Sequence, residues 1–185
     1  MASTSSNMLP LGTIAPGFIL YDTVSDEELS LFENRGDKAT VIFFICNHCP
    51  FVIHVNSQLV RIANDYKDKN VSFIAISSND VLNYPDDAPH LMRKKAIELH
   101  YPFPYLFDET QEVAKAYDAA CTPDTYLFDA NLKLTYRGQL DDSRPRNGIE
   151  VTGNDLRHAL DCLLTGKENT EVQKPSIGCN IKWKE

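Results

Sequence analysis

At 185 residues the chain is long enough to close one full core and too short for two, and 43% hydrophobic with 24% charged residues is the balance of a folded soluble domain. A formal net charge of −8, with Arg93-Lys94-Lys95 as the longest basic cluster, argues against nucleic acid as a partner, because phosphate recognition needs a basic patch. No apolar stretch approaches the ~20 residues that span a bilayer, so no membrane partner is expected either.

Residues 1–9 read as a mobile tail: Met1 to Asn7 is small or polar, with neither the positive charge nor the apolar core of an export signal. Residues 18–21 and 29–32 predict two short strands, joined by the acidic turn Asp26-Glu27-Glu28 into a hairpin. Val41 to Ile45 is a short, unbroken β-branched and aromatic run, the pattern of a central strand covered on both faces. Phe51, Val52, Val55, Leu59 and Ile62 then recur at helical spacing, with Pro50 in the first turn, where its missing N–H would have had no partner. A second buried strand over 71–77 follows this helix, and strand-helix-strand with a long crossover implies a parallel pair.

Beyond the polar, proline-containing loop 79–89, Leu91, Met92, Ala96 and Leu99 mark a helix ending near His100. Residues 105–107 form a short apolar segment, and Asp108 opens a short helix through Val113, Ala114 and Tyr117. Residues 125–128 and 132–136 are strands around the turn Asp129-Ala130-Asn131. A last helix opens at Thr152-Gly153-Asn154-Asp155, buries Leu156, Ala159, Leu160 and Leu163, and stops at Gly166. This order is the connectivity of the thioredoxin fold: an α/β domain over 10–166, a central mixed sheet flanked by helices, with an N-terminal β-hairpin and an inserted helix. A C-terminal tail, 167–185, is expected to pack on it, because Ile177, Ile181 and Trp183 call for burial.

The central strand ends in Cys46-Asn47-His48-Cys49-Pro50, so two cysteines flank a strand-to-helix junction. Unpaired N–H groups and the positive helix end favour a thiolate there, and His48 adds to this when protonated. A thiol so placed drops from a pKa of about 8.5 to between roughly 3.5 and 7.5 and becomes a nucleophile at neutral pH. A Cys-x-x-Cys pair is a redox pair, half of a metal site or a coincidence. Its place after a buried strand favours redox chemistry, and a zinc site would need two further ligands that no second Cys-x-x-Cys or paired His motif supplies. Cys46, Cys49, Cys121, Cys162 and Cys179 are odd in number and scattered, unlike a secreted disulfide framework, which points to a reducing cytoplasm. Thr122-Pro123 before a strand is either a plain strand boundary or, with a cis bond, a way to present the Thr122 backbone to a bound chain or ligand opposite the cysteines. His54 reads as a partly buried surface residue and Cys121 as a small core residue.

Four separated segments resemble the peroxiredoxin-like group of the thioredoxin superfamily, the alkyl hydroperoxide reductase/thiol-specific antioxidant type, from about Pro10 to the C-terminus. They are Cys46-Asn47-His48-Cys49-Pro50-Phe51, Thr122-Pro123-Asp124 with Tyr126-Leu127-Phe128-Asp129, the stretch from Tyr136 to Pro145, and the stretch from Pro175 to Trp183. The resemblance implies that Cys46 matches the attacking cysteine of thioredoxins, Pro123 their cis-proline, and Cys49 the peroxide-attacking cysteine of peroxiredoxins. The chain departs from true peroxiredoxins where their threonine is Cys46, their proline is Ile42 and their peroxide-orienting arginine coincides with Pro123. Without groups that polarise the O–O bond, much of a peroxidase rate should be lost. It departs from thioredoxin where the buried acid is Thr40, which leaves the proton acceptor unidentified.

The expected activity is thiol-disulfide exchange, in which Cys46 attacks a disulfide and Cys49 resolves the mixed disulfide, leaving a Cys46–Cys49 bridge. The expected partners are a protein or small-molecule disulfide, or a peroxide, and a thiol electron donor, with no cofactor and no metal. Asn47, Thr122 and Asp124 are expected to contact substrate beside the catalytic Cys46, Cys49, His48 and Pro123. Two alternatives stay open: a weak thiol peroxidase in which Cys49 forms a sulfenic acid that Cys46 resolves, and a metal-binding or redox-sensing module built on Cys46, His48 and Cys49. Cys179 is either incidental or a resolving or relay thiol.

Overall fold

The computed structural model describes residues 3–185. Its strands are β1 (Ser3–Ser5), β2 (Ile19–Asp22), β3 (Glu27–Ser30), β4 (Ala39–Phe44), β5 (Val71–Ser77), β6 (Tyr105–Phe107), β7 (Cys121–Thr122), β8 (Asp124–Asp129), β9 (Leu134–Gly138) and β10 (Ile177–Asn180). Its helices are α1 (Leu31–Asn34), α2 (Pro50–Tyr66), α3 (Pro89–Glu98), α4 (Glu112–Ala116) and α5 (Asn154–Thr165). One sheet has the spatial order β3-β2-β6-β5-β4-β8-β9, and a small second sheet the order β1-β10-β7. The larger is mixed: β4 and β5 are parallel, as are β5 and β6, while β8 pairs antiparallel with both β4 and β9.

The apolar run 41–45 supplies the middle of that sheet for the reason its composition suggests. Side chains alternate across a strand, so Val41 and Phe43 enter one core with Val55, Leu59 and Ile62 of α2 and Leu156 and Leu160 of α5. Ile42 and Phe44 enter a second core on the other face with Leu31, Ala114, Tyr117 and Tyr126. A strand buried on both faces cannot shift register without moving every one of these side chains, so its C-terminal end is a fixed platform. The architecture is the thioredoxin-like mixed sheet flanked by helices, with the β2–β3 hairpin at its edge.

Several boundaries differ from expectation. Phe32 lies in α1 rather than in the hairpin, whose turn is tightened by Asp22 accepting the N–H groups of Val24 (3.1 Å) and Ser25 (3.2 Å). α4 begins at Glu112, not Asp108, because Asp108 caps it from a distance: its carboxylate accepts the Ala114 N–H at 2.9 Å across an intervening turn. Trp183 does not bury. It stays 40% exposed, with the Lys115 ammonium 5.8 Å from the centre of its ring, while Ile181 fills the core position.

The largest difference concerns the chain ends. Of the tail expected over 1–9, Met1 and Ala2 lie outside the described residues, but Ser3–Ser5 form β1, pairing Ser3 with Cys179, Thr4 with Gly178 and Ser5 with Ile177. β10 in turn pairs Cys179 with Thr122 and Asn180 with Cys121. Gly178 passes so close to β7 that any Cβ would collide with the Thr122 carbonyl oxygen, which is why a glycine stands at that register position.

Candidate active site

β4 delivers the chain to the site and α2 leaves from it. After Ile45, whose N–H still bonds to the Ile76 carbonyl at 2.9 Å, the chain turns through Cys46, Asn47 and His48. Cys49 occupies the N-cap position of α2 in extended conformation, and Pro50 takes the first helical position. The Cys46 and Cys49 side chains lie close enough in the turn to perturb one another's ionisation. The Cys49 thiol also reaches the Thr122 carbonyl at 3.1 Å, and the Cys46 sulfur lies 3.5 Å from the Thr122 hydroxyl. The Val52 N–H and the Cys179 side chain act on Cys49 in the sense that favours its thiolate. All five cysteines are free thiols.

The groups around the pair favour Cys49 over Cys46 as the carrier of its negative charge. Cys46 first, with the Cys179 side chain and the Val52 N–H, outweighs burial, pulling Cys49 down to about 5. Cys46 is pushed up, by Cys49 first, then by burial and by the Asp87 carboxylate nearby. Little of either residue meets solvent: Cys46 is 2% exposed and Cys49 0%.

Asp87 is the site residue that sequence reasoning missed. It sits in a short turn over 85–87 inside the polar loop and is fully buried. Its Oδ1 accepts the Asn47 N–H at 2.7 Å, and its Oδ2 accepts Asn79 Nδ2 at 2.7 Å. His48 Nδ1 stands 2.7 Å from the same Oδ2, and this carboxylate raises the histidine's pKa. Asn79 is itself held by the C-terminal tail, its Oδ1 accepting the Lys182 N–H at 2.8 Å. The other face of His48 stacks on Tyr84, with ring centres 5.7 Å apart. No residue pattern announced Asp87: Asp86-Asp87 reads as two solvated acids, and only the fold selects one of them for burial.

The structure brings Cys46, His48 and Asp87 together, with a sulfur, a ring nitrogen and a carboxylate oxygen within 4.8 Å of one another. That donor set suits a transition metal, but the Asp87 oxygens already accept two hydrogen bonds and face His48, so a metal would have to displace them. Asn47 is used up internally: its amide donates to the Asp86 carbonyl (2.8 Å) and its Oδ1 accepts the Tyr105 hydroxyl (3.3 Å). The Thr122-Pro123 bond is cis. The Thr122 carbonyl does not stand open to a bound chain, because Cys49 and β10 occupy it. The segment 136–145 ends in a loop pinned by Asp141, whose carboxylate accepts the N–H groups of Ser143 (2.8 Å) and Thr152 (2.7 Å). His54, partly buried as expected, bonds through Nε2 to the Ser143 hydroxyl at 2.7 Å.

Asp124 is not brought to the cysteines. It shares its strand face with Tyr126 and Phe128, which enter the second core, whereas Cys46 and Cys49 belong to the first. Its carboxyl is fully buried, accepts the Tyr126 hydroxyl and the Thr125 N–H, each at 3.1 Å, and is raised to about 7 by loss of hydration. A carboxyl raised in the fold favours the protonated form, so stability is lost as pH rises from the unfolded value of 3.8 through about 7. Asp124→Asn is therefore expected to flatten that slope and to gain up to roughly 4 kcal/mol on the alkaline side, read by urea denaturation across that range. Parallel pH profiles for the two proteins would refute the assignment.

The sequence model of the AhpC/TSA family matches residues 11–137. Over 100% of its length the chain is 63% identical to an uncharacterized conserved protein from Geobacillus kaustophilus, 97% of which is covered, with a TM-score of 0.98. It is 45% identical to a hypothetical protein from Sinorhizobium meliloti 1021, with 98% of each chain covered and a TM-score of 0.95. The thioredoxin domain of a thiol-disulfide oxidoreductase from Bacteroides vulgatus is 19% identical, with a TM-score of 0.61 over 80% of this chain and 96% of that one, and shares the fold. No curated protein matches the chain.

Proposed function

Because the chain belongs to the AhpC/TSA family, we propose that it is a thiol oxidoreductase passing two electrons from the Cys46–Cys49 pair to a disulfide substrate. The observation that carries this reading is the convergence of both sulfurs on Thr122 at the start of α2, Cys46 at 3.5 Å from its hydroxyl and Cys49 at 3.1 Å from its carbonyl oxygen, beside the cis Thr122-Pro123 bond. Cys46 is taken as the entry sulfur, at the position that the attacking cysteine of thioredoxins holds, before the helix start. It gives its proton to Cys49 and attacks one substrate sulfur, so that the other leaves as a thiolate. Cys49, deprotonated by that thiolate, then attacks Cys46, releases the second substrate sulfur and closes the Cys46–Cys49 bond. Two electrons and one proton have passed to the substrate, whose second sulfur leaves as a thiolate and takes its proton from solvent. The slight exposure of the pair and the occupied edge beside Thr122 favour a small-molecule disulfide over a protein strand.

A second reading rests on the charge on Cys49. A peroxide small enough to reach that anion is attacked at oxygen, water or an alcohol leaves, and the sulfenic acid formed on Cys49 condenses with the Cys46 thiol, expelling water. Both readings end in the same bridge, and no resident metal takes part in either.

The test is to reduce the protein, remove the reductant, offer oxidised glutathione or hydrogen peroxide, cap free thiols and identify linked peptides by mass spectrometry. A Cys46–Cys49 bridge, formed with loss of two thiols, is expected with at least one oxidant. A protein that leaves both thiols capped under both oxidants overturns the proposal.

A further inference from the structure

The edge beside Thr122, where the sequence placed a bound chain, is filled by the protein's own β10. Cys179 on β10 pairs in register with Thr122, and Gly178 admits no side chain that would hold the two strands apart. Cys46, Cys49 and Cys179 lie in one buried cluster around Thr122: Cys179 is its register partner on β10, the Cys49 sulfur is 3.1 Å from its carbonyl oxygen, and the Cys46 sulfur is 3.5 Å from its hydroxyl. Cys121, adjacent in β7, is turned to other partners, its thiol lying 3.7 Å from the Pro123 carbonyl and 4.0 Å from that of Ser176.

We infer that Cys179 is a third redox thiol, which exchanges into the Cys46–Cys49 disulfide at the Cys49 sulfur; the step rests on the dithiol reading above. The Cys179 thiolate attacks Cys49, the Cys49–Cys179 bond forms, the Cys46–Cys49 bond breaks, and Cys46 leaves as a thiolate that takes up the proton shed by Cys179. No electrons enter or leave, since both have already gone to the substrate. Position selects the direction: Cys179 and Cys49 meet at Thr122, and the leaving Cys46 sulfur lies beside His48, which can pass it the proton shed by Cys179. In the reduced protein there is no disulfide for Cys179 to attack, and burial and then Cys49 hold its proton, pushing that thiol up to about 12. Bonding Cys49 into a disulfide supplies the electrophile and removes the contribution of the Cys49 charge. The product fastens β10 to the start of α2 and leaves Cys46 free.

The test treats the whole reduced protein with one equivalent of diamide, a small thiol oxidant, then caps free thiols and maps non-reduced peptides by mass spectrometry. The wild type is expected to yield Cys49–Cys179 peptides together with capped Cys46. Cys46→Ser is expected to form Cys49–Cys179 in the majority of molecules, and Cys49→Ser to form neither bridge. Capped Cys49 and Cys179 in Cys46→Ser, with native circular dichroism, would overturn the inference. If that variant does not fold, a wild type yielding the Cys46–Cys49 bridge without any Cys49–Cys179 peptide overturns it equally. Cys179→Ser blocks the exchange and is expected to hold the Cys46–Cys49 bridge; a wild type that forms Cys49–Cys179 while Cys179→Ser closes no Cys46–Cys49 bridge with any oxidant supports the Cys49–Cys179 pairing and sinks the dithiol reading instead.

Discussion

Serine at Cys46 is expected to slow exchange with a small disulfide by roughly a thousandfold or more, because it removes the sulfur that attacks the substrate. Serine at Cys49 should leave the first attack possible but not the second, so the protein accumulates as a mixed disulfide on Cys46. Peroxide consumption, if present, should show the opposite dependence, surviving in part without Cys46 and vanishing without Cys49. Thiolate absorbance reports the same assignment without turnover. In the wild type it should titrate with a midpoint of about 5, set by the donors around Cys49. Cys46→Ser keeps a hydroxyl donor and should hold that midpoint low, whereas Cys46→Ala should let it rise. The sign for stability follows: a depressed thiol favours the folded, reduced protein as pH rises above about 5, and that gain is lost as pH falls through this value. Wild-type exchange in Cys46→Ser, beside an inert Cys49→Ser that traps nothing, would show that Cys49 is the attacking sulfur.

Removing the Asp87 carboxylate should be the most damaging substitution away from the sulfurs. Asp87→Ala strands two buried donors, the Asn47 N–H and Asn79 Nδ2, each worth about 1–3 kcal/mol, and takes the counter-charge from His48. A loss of about 3–5 kcal/mol in urea denaturation is expected. The milder Asp87→Asn separates structure from chemistry. Its lost charge no longer holds the Cys46 proton, so the rising limb of the exchange rate should move to lower pH. It also removes the contact that raises His48. The stability owed to that pair is present below the ordinary histidine value of about 6.5 and is lost as pH rises through the higher folded value, so that part of the difference from wild type should shrink in the same direction. A stability loss with an unmoved rate profile would make Asp87 a structural anchor only.

The elements carried by side-chain patterning were readable from the chain. The run 41–45 announces a doubly covered strand, and the spacing of Val52, Val55, Leu59 and Ile62 announces α2, so the position of the two cysteines at their junction follows directly. What patterning does not carry was not readable. β1 is Ser3-Thr4-Ser5, a strand with no apolar face, defined only by the backbone groups it pairs with. Asp87 takes its place from contacts across many residues of chain, with no local signal that distinguishes it from a surface residue, and the chain offered Cys179 only as either incidental or a resolving or relay thiol. Asp124 failed in the opposite sense. Its neighbour Pro123 lies at the site, but a one-residue step along a strand turns the side chain to the opposite core.

The three-stranded ribbon β1-β10-β7 ties the beginning and the end of the chain to the back of the sulfur cluster. Anything that pulls on, clips or extends either terminus therefore acts on the strand holding Cys179 against Cys49. A purification handle or fusion partner at one end, or trimming that removes β1, should alter thiol chemistry without touching a residue of the Cys46–Cys49 turn.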